Sequence, residues 1–276
     1  MGKLTPQEIN QFQTKILTWF SKNKRDLPWR QTRDPYHILV SEVMLQQTQV
    51  SRVLPKYHLW FKTFPTIGSL AQAKTSEVLR LWSGLGYNRR ALYLLQTAKI
   101  LNNHYKQYNN YNYYIDEKAL RSLLGIGEYT ARAVLCFAFD KQVAVVDTNV
   151  KRVILTQIQS SKLKDQSSNK KEIQEIADKL LPKGKAYEWN QALMDYAAAM
   201  LRKEKIPIPK QSRFMGSDRY YRGKIVKLLL AKERVSISEV ENLFKKSTEE
   251  KNRARKIIQS LVKDGIIKAS DKYLVF

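Results

Sequence analysis

The stretch Leu123-Leu124-Gly125-Ile126-Gly127-Glu128-Tyr129-Thr130-Ala131 sets two glycines at i and i+2 between two helical patterns. Glycine lets the backbone turn tightly and approach another molecule closely. The N-terminus of the following helix offers unpaired N–H groups, so a phosphate can sit there. Gly-Ile-Gly alone would serve any tight interhelical turn. With Tyr129-Thr130-Ala131 and the apolar Val134, Leu135 and Phe137 behind it, the pattern predicts a helix-hairpin-helix.

The same periodicity continues on both sides. Thr5-Pro6-Gln7-Glu8 has the form of a capping box with Pro at the first helical position, and Ile9, Phe12, Ile16, Trp19 and Phe20 follow at helical spacing, predicting a helix over 6–21. Further helices are predicted over 36–49, 51–63, 75–81, 88–105, 117–123, 128–138, 147–157, 170–180 and 187–202. No alternating strand pattern competes there, so residues 1–202 read as one mainly α region. The Tyr- and Asn-rich run from Tyr105 to Tyr114 suits a polar connection. Residues 203–217, with Ile206-Pro207-Ile208-Pro209 and Gly216-Ser217, have linker composition. Residues 218–276 then predict helices over 218–232, 236–246 and 248–263, a turn at Ser270-Asp271 and a terminal strand from Tyr273 to Phe276. Three helices and a small hairpin suggest a winged-helix-like DNA-binding domain, whose third helix carries Lys251, Arg253, Arg255, Lys256 and Lys263. A solvated charged face is the ordinary alternative for such a helix.

Charge selects the partner. Among 276 residues, 49 Lys and Arg oppose 25 Asp and Glu, for a net +24. Both parts are positive, +13 through Met200 and +11 after it, which points to nucleic acid more than to a membrane surface lacking any basic amphipathic anchor. No long apolar run suggests a membrane span, and the start has no apolar core of a signal peptide, so the expectation is an intracellular, cytoplasmic and nucleoid-associated chain. A single Cys, Cys136, excludes disulfide frameworks and thiolate cages, and three His argue against a His-rich metal site.

The hairpin is followed, twenty residues after Gly127, by Asp147-Thr148-Asn149-Val150-Lys151-Arg152, and together these resemble the helix-hairpin-helix DNA glycosylase superfamily that includes endonuclease III. Asp26-Leu27-Pro28-Trp29-Arg30 and Ser41-Glu42-Val43-Met44-Leu45-Gln46-Gln47-Thr48-Gln49-Val50 resemble its A/G-specific adenine branch. Trp82-Ser83-Gly84-Leu85-Gly86-Tyr87 and Asn190-Gln191-Ala192-Leu193-Met194-Asp195 add two more blocks in the same order.

Adenine leaves poorly until protonated, so cleaving its N-glycosidic bond wants an acid at the base and negative charge beside the developing oxocarbenium ion. Glu42, between Val40 and Val43 at the start of a helix-like run, can be the acid if burial raises its pKa. Asp147 opens a helix and would ordinarily be only its N-cap. The resemblance implies more: Glu42 protonates adenine and later handles water, Asp147 stabilises the cationic sugar, and Tyr129 and Asn149 position the two carboxylates. Tyr129 stands where endonuclease III-like enzymes carry a Schiff-base Lys, implying a monofunctional enzyme that leaves an abasic site. By the same resemblance Trp29, Arg30, Leu45, Val50 and Asp195 surround the extruded base, and Gln47 and Tyr87 enter the duplex. Gly125, Gly127, Thr130, Lys151, Arg253 and Lys256 complete the expected DNA contacts.

The chain departs from that family in three places. Thr148 stands where the adenine branch usually has Gly. Typical members carry four Cys after the Asn190 block for a [4Fe–4S] cluster, whereas Leu201 to Gln211 has none, so no cofactor is expected. Residues 218–276 are also too few for the Nudix-like domain that reads 8-oxoguanine. The expected protein is a monomeric, monofunctional glycosylase acting on double-stranded DNA with adenine mispaired with guanine or 8-oxoguanine. A thymine or uracil glycosylase acting opposite G and a non-catalytic DNA-binding protein are the rivals.

Overall fold

The computed structural model describes residues 4–108, 116–157, 170–203, 213–244 and 247–276. The chain forms two compact units, each built from two segments. The first comprises residues 1–42 and 111–208, the second residues 43–110 and 209–276, so region 1–202 contributes to both and residues 218–276 share a unit with 43–110.

In the first unit, α1 (Pro6–Asn23) begins on a capping box: the Glu8 amide donates to Thr5 Oγ1 (3.2 Å) and the Thr5 amide to Glu8 Oε2 (2.7 Å). Its buried stripe of Phe12, Ile16 and Phe20 packs with α9 (Thr148–Gln157) and α11 (Ala186–Lys203) around Val150, Ile154, Trp189 and Leu193. Phe12 meets Trp189 edge-on at 5.7 Å. The hairpin joins α7 (Glu117–Ser122) to α8 (Glu128–Phe139), and α10 (Lys170–Leu180) closes the core with Ala177 and Leu180.

The second unit holds α3 (Val50–Thr63), α4 (Ile67–Gln72), α5 (Thr75–Trp82) and α6 (Arg89–Tyr108), with Trp60 and Trp82 in edge contact at 5.7 Å. It also contains α12 (Asp218–Lys232), β1 (Arg234–Ser236), α13 (Ile237–Glu241), α14 (Thr248–Lys263), β2 (Lys268–Ala269) and β3 (Tyr273–Val275). The strands form one antiparallel sheet in the order β1-β3-β2, with Leu274 opposite both Val235 and Ala269. Val235 and Leu274 of the sheet are buried, as are Ile225 and Leu229 of α12 and Ile258 and Leu261 of α14.

Four local expectations change. Helix α2 (Pro35–Leu45) stops four residues before Gln49, because Gln47 adopts a left-handed backbone (φ +54°). Helix α4 is new; six residues are too short for a periodic signal, although Thr66 and Ser69 cap it reciprocally. The helix expected over 236–246 is only α13, which starts after Ser236, the last residue of β1 and the helix N-cap, and ends at Glu241 with Asn242 as C-cap. Glu42 lies near the end of its helix, not the start. The polar connection through 109–115, most of the linker (204–212) and the end of the 236–246 segment lie outside the described residues. Among the described residues no helix is long and apolar enough to cross a membrane.

Candidate active site

Three ionisable side chains meet in the first unit. Helix α2 carries Glu42 among Leu39, Val40 and Val43, and the residue is 5% exposed. Its Oε2 has no hydrogen-bond partner, while the Tyr129 hydroxyl, from the first turn of α8, bonds the same carboxyl. Burial pushes the Glu42 pKa up to about 7; the Tyr129 hydrogen bond pulls it down, the charge of Asp147 raises it and that of Arg30 lowers it. The C-terminal end of α2 adds negative potential that also favours the neutral acid. Burial and both neighbouring carboxyls hold Tyr129 well above the usual phenol range, so it acts as an O–H donor and not as a base.

Asp147 is the N-cap of α9: its Oδ1 accepts the Val150 amide at 2.6 Å, and the Lys151 amide reaches its carbonyl at 2.9 Å. Burial raises its pKa, and the amides of Val150 and Asn149 and the Arg152 charge oppose that rise. The capping role and an electrostatic role are compatible, since the amides that it caps also favour the ionised carboxylate. Asn149 supplies its backbone amide, and its side chain is exposed.

Asn190, on α11, has no expected site role, yet it fixes the segment leading to Asp147. Its Oδ1 accepts the Val145 amide (2.8 Å), and its Nδ2 donates to the carbonyls of Val143 (3.0 Å) and Ala186 (2.8 Å). In the sequence its only mark is an Asn next to Trp189 within an apolar helical pattern; its burial is seen in the structure. Arg30 follows Trp29 in a short 3-10 turn, Pro28–Arg30, and grips Asp195 with two 2.8 Å bonds, while Arg25 binds the same carboxylate at 2.7 Å. Burial pushes Asp195 up, but the two arginines and the Arg25 amide outweigh it and hold its pKa below the usual carboxylate range. Asp195 thus anchors Arg30 within electrostatic reach of Glu42, and Trp29 is buried beside them in sequence.

The hairpin leaves a set of donors at its tip. Gly125 takes φ +76°, and Gly127 is the N-cap of α8 with no side chain to cap it. A Cβ at Gly127 would meet nothing within 4 Å, so there is room beside the start of α8, where the first helical amides have no intrahelical partner and suit an anion. Thr130 is buried in that first turn, and Lys151 is half-buried on α9.

The remaining site residues belong to the second unit. Leu45 ends α2 and Val50 begins α3, both half-buried. Gln47 and Tyr87 are exposed with φ of +54° and +50°. Arg219 of α12 donates to the Tyr87 hydroxyl at 3.0 Å, and the Asp264 carboxylate links Arg89 of α6 to Arg222 of α12. On α14, Arg253 is committed to Asp218 (2.7 Å), Glu250 (3.3 Å) and the Gly216 carbonyl (2.7 Å), and Arg255 to Glu241. Lys256, like Lys251 and Lys263, is exposed.

A four-thiolate cluster does not fit these residues. Cys136 is buried in α8, receives a hydrogen bond from Asn190 Nδ2 (3.2 Å), and burial pushes its thiol up to about 12. No group of three or more His, Cys, Asp or Glu among the described residues could hold a metal ion.

A buried acid beside an ionisable carboxylate, together with a hairpin helix that has no side-chain cap, is an arrangement suited to acid-assisted bond cleavage next to a phosphate. The profile of the HhH-GPD superfamily base excision DNA repair proteins matches residues 40–183, and the chain belongs to that family. It is similar to the adenine DNA glycosylase of Mycolicibacterium smegmatis, 34% identical, with 91% of each chain covered. It is also similar to a thymine/uracil-DNA glycosylase from Methanothermobacter thermautotrophicus, 35% identical over 72% of this chain and 88% of the relative. Among solved structures, a thermostable thymine-DNA glycosylase superposes with TM-score 0.64 at 32% identity, covering 76% of this chain and 92% of that one. An endonuclease III trapped on DNA shares the fold at TM-score 0.59 and 20% identity, over 70% of this chain and 86% of that one.

Proposed function

We propose that the protein is a monofunctional adenine DNA glycosylase that hydrolyses the N-glycosidic bond of adenine mispaired with guanine or 8-oxoguanine. Glu42 carries this reading. A carboxyl poised near pH 7, with one oxygen bound by Tyr129 and the other free of partners, holds a proton ready for a ring nitrogen of a purine. Protonation turns adenine into a neutral leaving group, and the electrons of the glycosidic bond stay with the base. Asp147 offsets the positive charge left on the sugar, water adds to the anomeric carbon, and Glu42, now ionised, takes the water's proton. No amine stands at Tyr129, so no imine forms and the product is an intact strand with an abasic site.

Two further points support adenine. The similarity to the mycobacterial adenine glycosylases runs over 91–92% of this chain, against 72% for the thymine/uracil enzyme. Thymine and uracil also leave as stabilised anions, for which a buried acid is less useful. The second reading, excision of thymine or uracil opposite G, rests on that enzyme's equal identity. In either case the chain acts as an intracellular monomer on duplex DNA without an iron–sulfur cluster. The 218–276 segment is a winged-helix-like module that adds phosphate contacts through Lys251, Lys256 and Lys263, while Arg253 braces the module internally.

The test is a panel of 5′-labelled duplexes containing A:8-oxoG, A:G, T:G and U:G, treated with alkali after the enzyme to reveal abasic sites. Product from the adenine duplexes, without borohydride-trapped imine, supports the proposal. Activity confined to T:G or U:G moves the assignment to the second reading. No product on any duplex points to a DNA-binding protein.

A further inference from the structure

Gln47 and Tyr87 stand on backbone that their residue types avoid. Such conformations persist only where the surroundings enforce them. One side chain, Arg90, the second residue of α6, bonds the backbone that leads into both residues. Its Nη1 donates to the carbonyls of Val43 (2.8 Å), Met44 (3.1 Å) and Gln46 (2.5 Å), the last acceptors of α2 and the residue just before Gln47. Its Nη2 donates to Thr48 Oγ1 (3.1 Å) and to the carbonyls of Leu85 (3.2 Å) and Gly86 (3.0 Å), the residues just before Tyr87. The Trp82 indole shares the Gly86 carbonyl at 3.0 Å, and the guanidinium lies 5.6 Å from the Tyr87 ring centre.

A helix end is ordinarily satisfied by Gly in the left-handed position. This chain puts Gln there and brings in a planar cation from a distant helix. Among the described residues Arg90 pairs with no carboxylate, so the fork is committed to backbone oxygens of two turns. A rigid fork shared by two turns fixes the distance and orientation between the side chains that project from them. We propose that Arg90 is the positioning residue of a two-pronged wedge, holding Gln47 and Tyr87 so that both enter the duplex together as the target base leaves. The inference rests on the glycosylase reading, in which these two side chains take the place of an extruded base.

The experiment uses the full chain and compares Arg90→Gln and Arg90→Lys with wild type on two duplexes. One carries the excised base in its mismatch; the other carries the same base opposite an abasic analogue, where it is already poorly stacked. The wedge is needed for the first and largely dispensable for the second. Arg90→Gln should slow single-turnover excision from the mismatch on the order of 10- to 100-fold, as expected for a misplaced positioning element. The abasic-opposed duplex should lose no more than about threefold, and Arg90→Lys should fall between. Adding Tyr87→Ala to Arg90→Gln should cost little more than either change alone, since both disable one device. Equal losses on the two duplexes, or additive effects, would overturn the proposal. If wild type excises nothing, the glycosylase reading fails separately. The fluorescence rise of 2-aminopurine at the target position on protein binding then decides: a rise retained in Arg90→Gln refutes the wedge assignment, and its loss supports it.

Discussion

Replacing Glu42 by Gln should produce a protein that is both more stable and inactive, with the gain in stability set by pH. The carboxyl has an ordinary pKa of 4.5 and sits at about 7 in the folded chain, chiefly through burial. A group whose pKa is raised on folding favours the folded state fully below the unfolded value and loses that contribution as pH rises through the folded one. Wild type therefore loses stability between about pH 4.5 and 7 through this residue. At 1.36 kcal/mol per tenfold, the displacement amounts to about 3 kcal/mol. The isosteric amide never ionises and escapes the loss. Thermal melts of both proteins at pH 4.5 and pH 8 should show nearly equal midpoints at the lower pH. At the higher pH, Glu42→Gln should melt roughly 6–12 °C above wild type, taking about 2–4 °C per kcal/mol. Excision should be lost at both while duplex binding remains. A difference in midpoint that does not change with pH would show that Glu42 is not held as a buried acid, and the proton-donor role would go with it.

Other changes probe the neighbours. Tyr129→Phe removes the hydrogen bond that lowers the Glu42 pKa, so the alkaline limb of the pH–rate profile should move upward, measured by single-turnover excision from pH 5.5 to 9. Asn190→Ala strands the Val145 amide and two carbonyls; it should destabilise by about 2–4 kcal/mol in urea melts and cut excision more than DNA affinity, because the segment bearing Asp147 loosens. Asp195→Ala leaves Arg30, only 12% exposed, without its counter-ion, and should cost about 3–5 kcal/mol by the same assay.

What could be read from the sequence and what could not divides by distance along the chain. The Thr5 cap, the Ser217 cap of α12 and the glycine hairpin are signals complete within a few residues, and each marks a helix boundary where its own chemistry places it. The end of α2 is different: its carbonyls are satisfied by Arg90, more than forty residues away, so nothing within 46–49 announces a stop. Asn190 and Asp195 act on residues 45 and 165–170 positions distant, and a single chain gives no sign of such pairing. The charge of +24 is partial evidence for the same reason. It points to a polyanion, but only contacts reveal that Arg253 and Arg255 face carboxylates of their own module while Lys251, Lys256 and Lys263 face outward.

The two carboxyl groups of the first unit show how one buried cluster can favour a protonated acid beside an ionised carboxylate. Burial raises both pKa values, so desolvation alone pushes both groups toward the neutral form. Their hydrogen bonds separate them. Asp147 receives two backbone amides, donors that the fold cannot withdraw because they open α9, and these favour its ionised form. Glu42 receives a single phenol, while its other oxygen has no donor at all. Once Asp147 is charged, its field raises Glu42 further, so the amides of the helix cap help Asp147 to ionise before Glu42. Asp147→Asn should therefore do two things at once: remove the charge that offsets a cationic sugar, and lower the Glu42 pKa. Excision should fall by orders of magnitude, and the Glu42 carboxyl, followed by infrared difference spectroscopy across a pH titration, should ionise at lower pH than in wild type. An unchanged Glu42 titration would mean that the two groups do not sense each other, and the cap would then be only a cap.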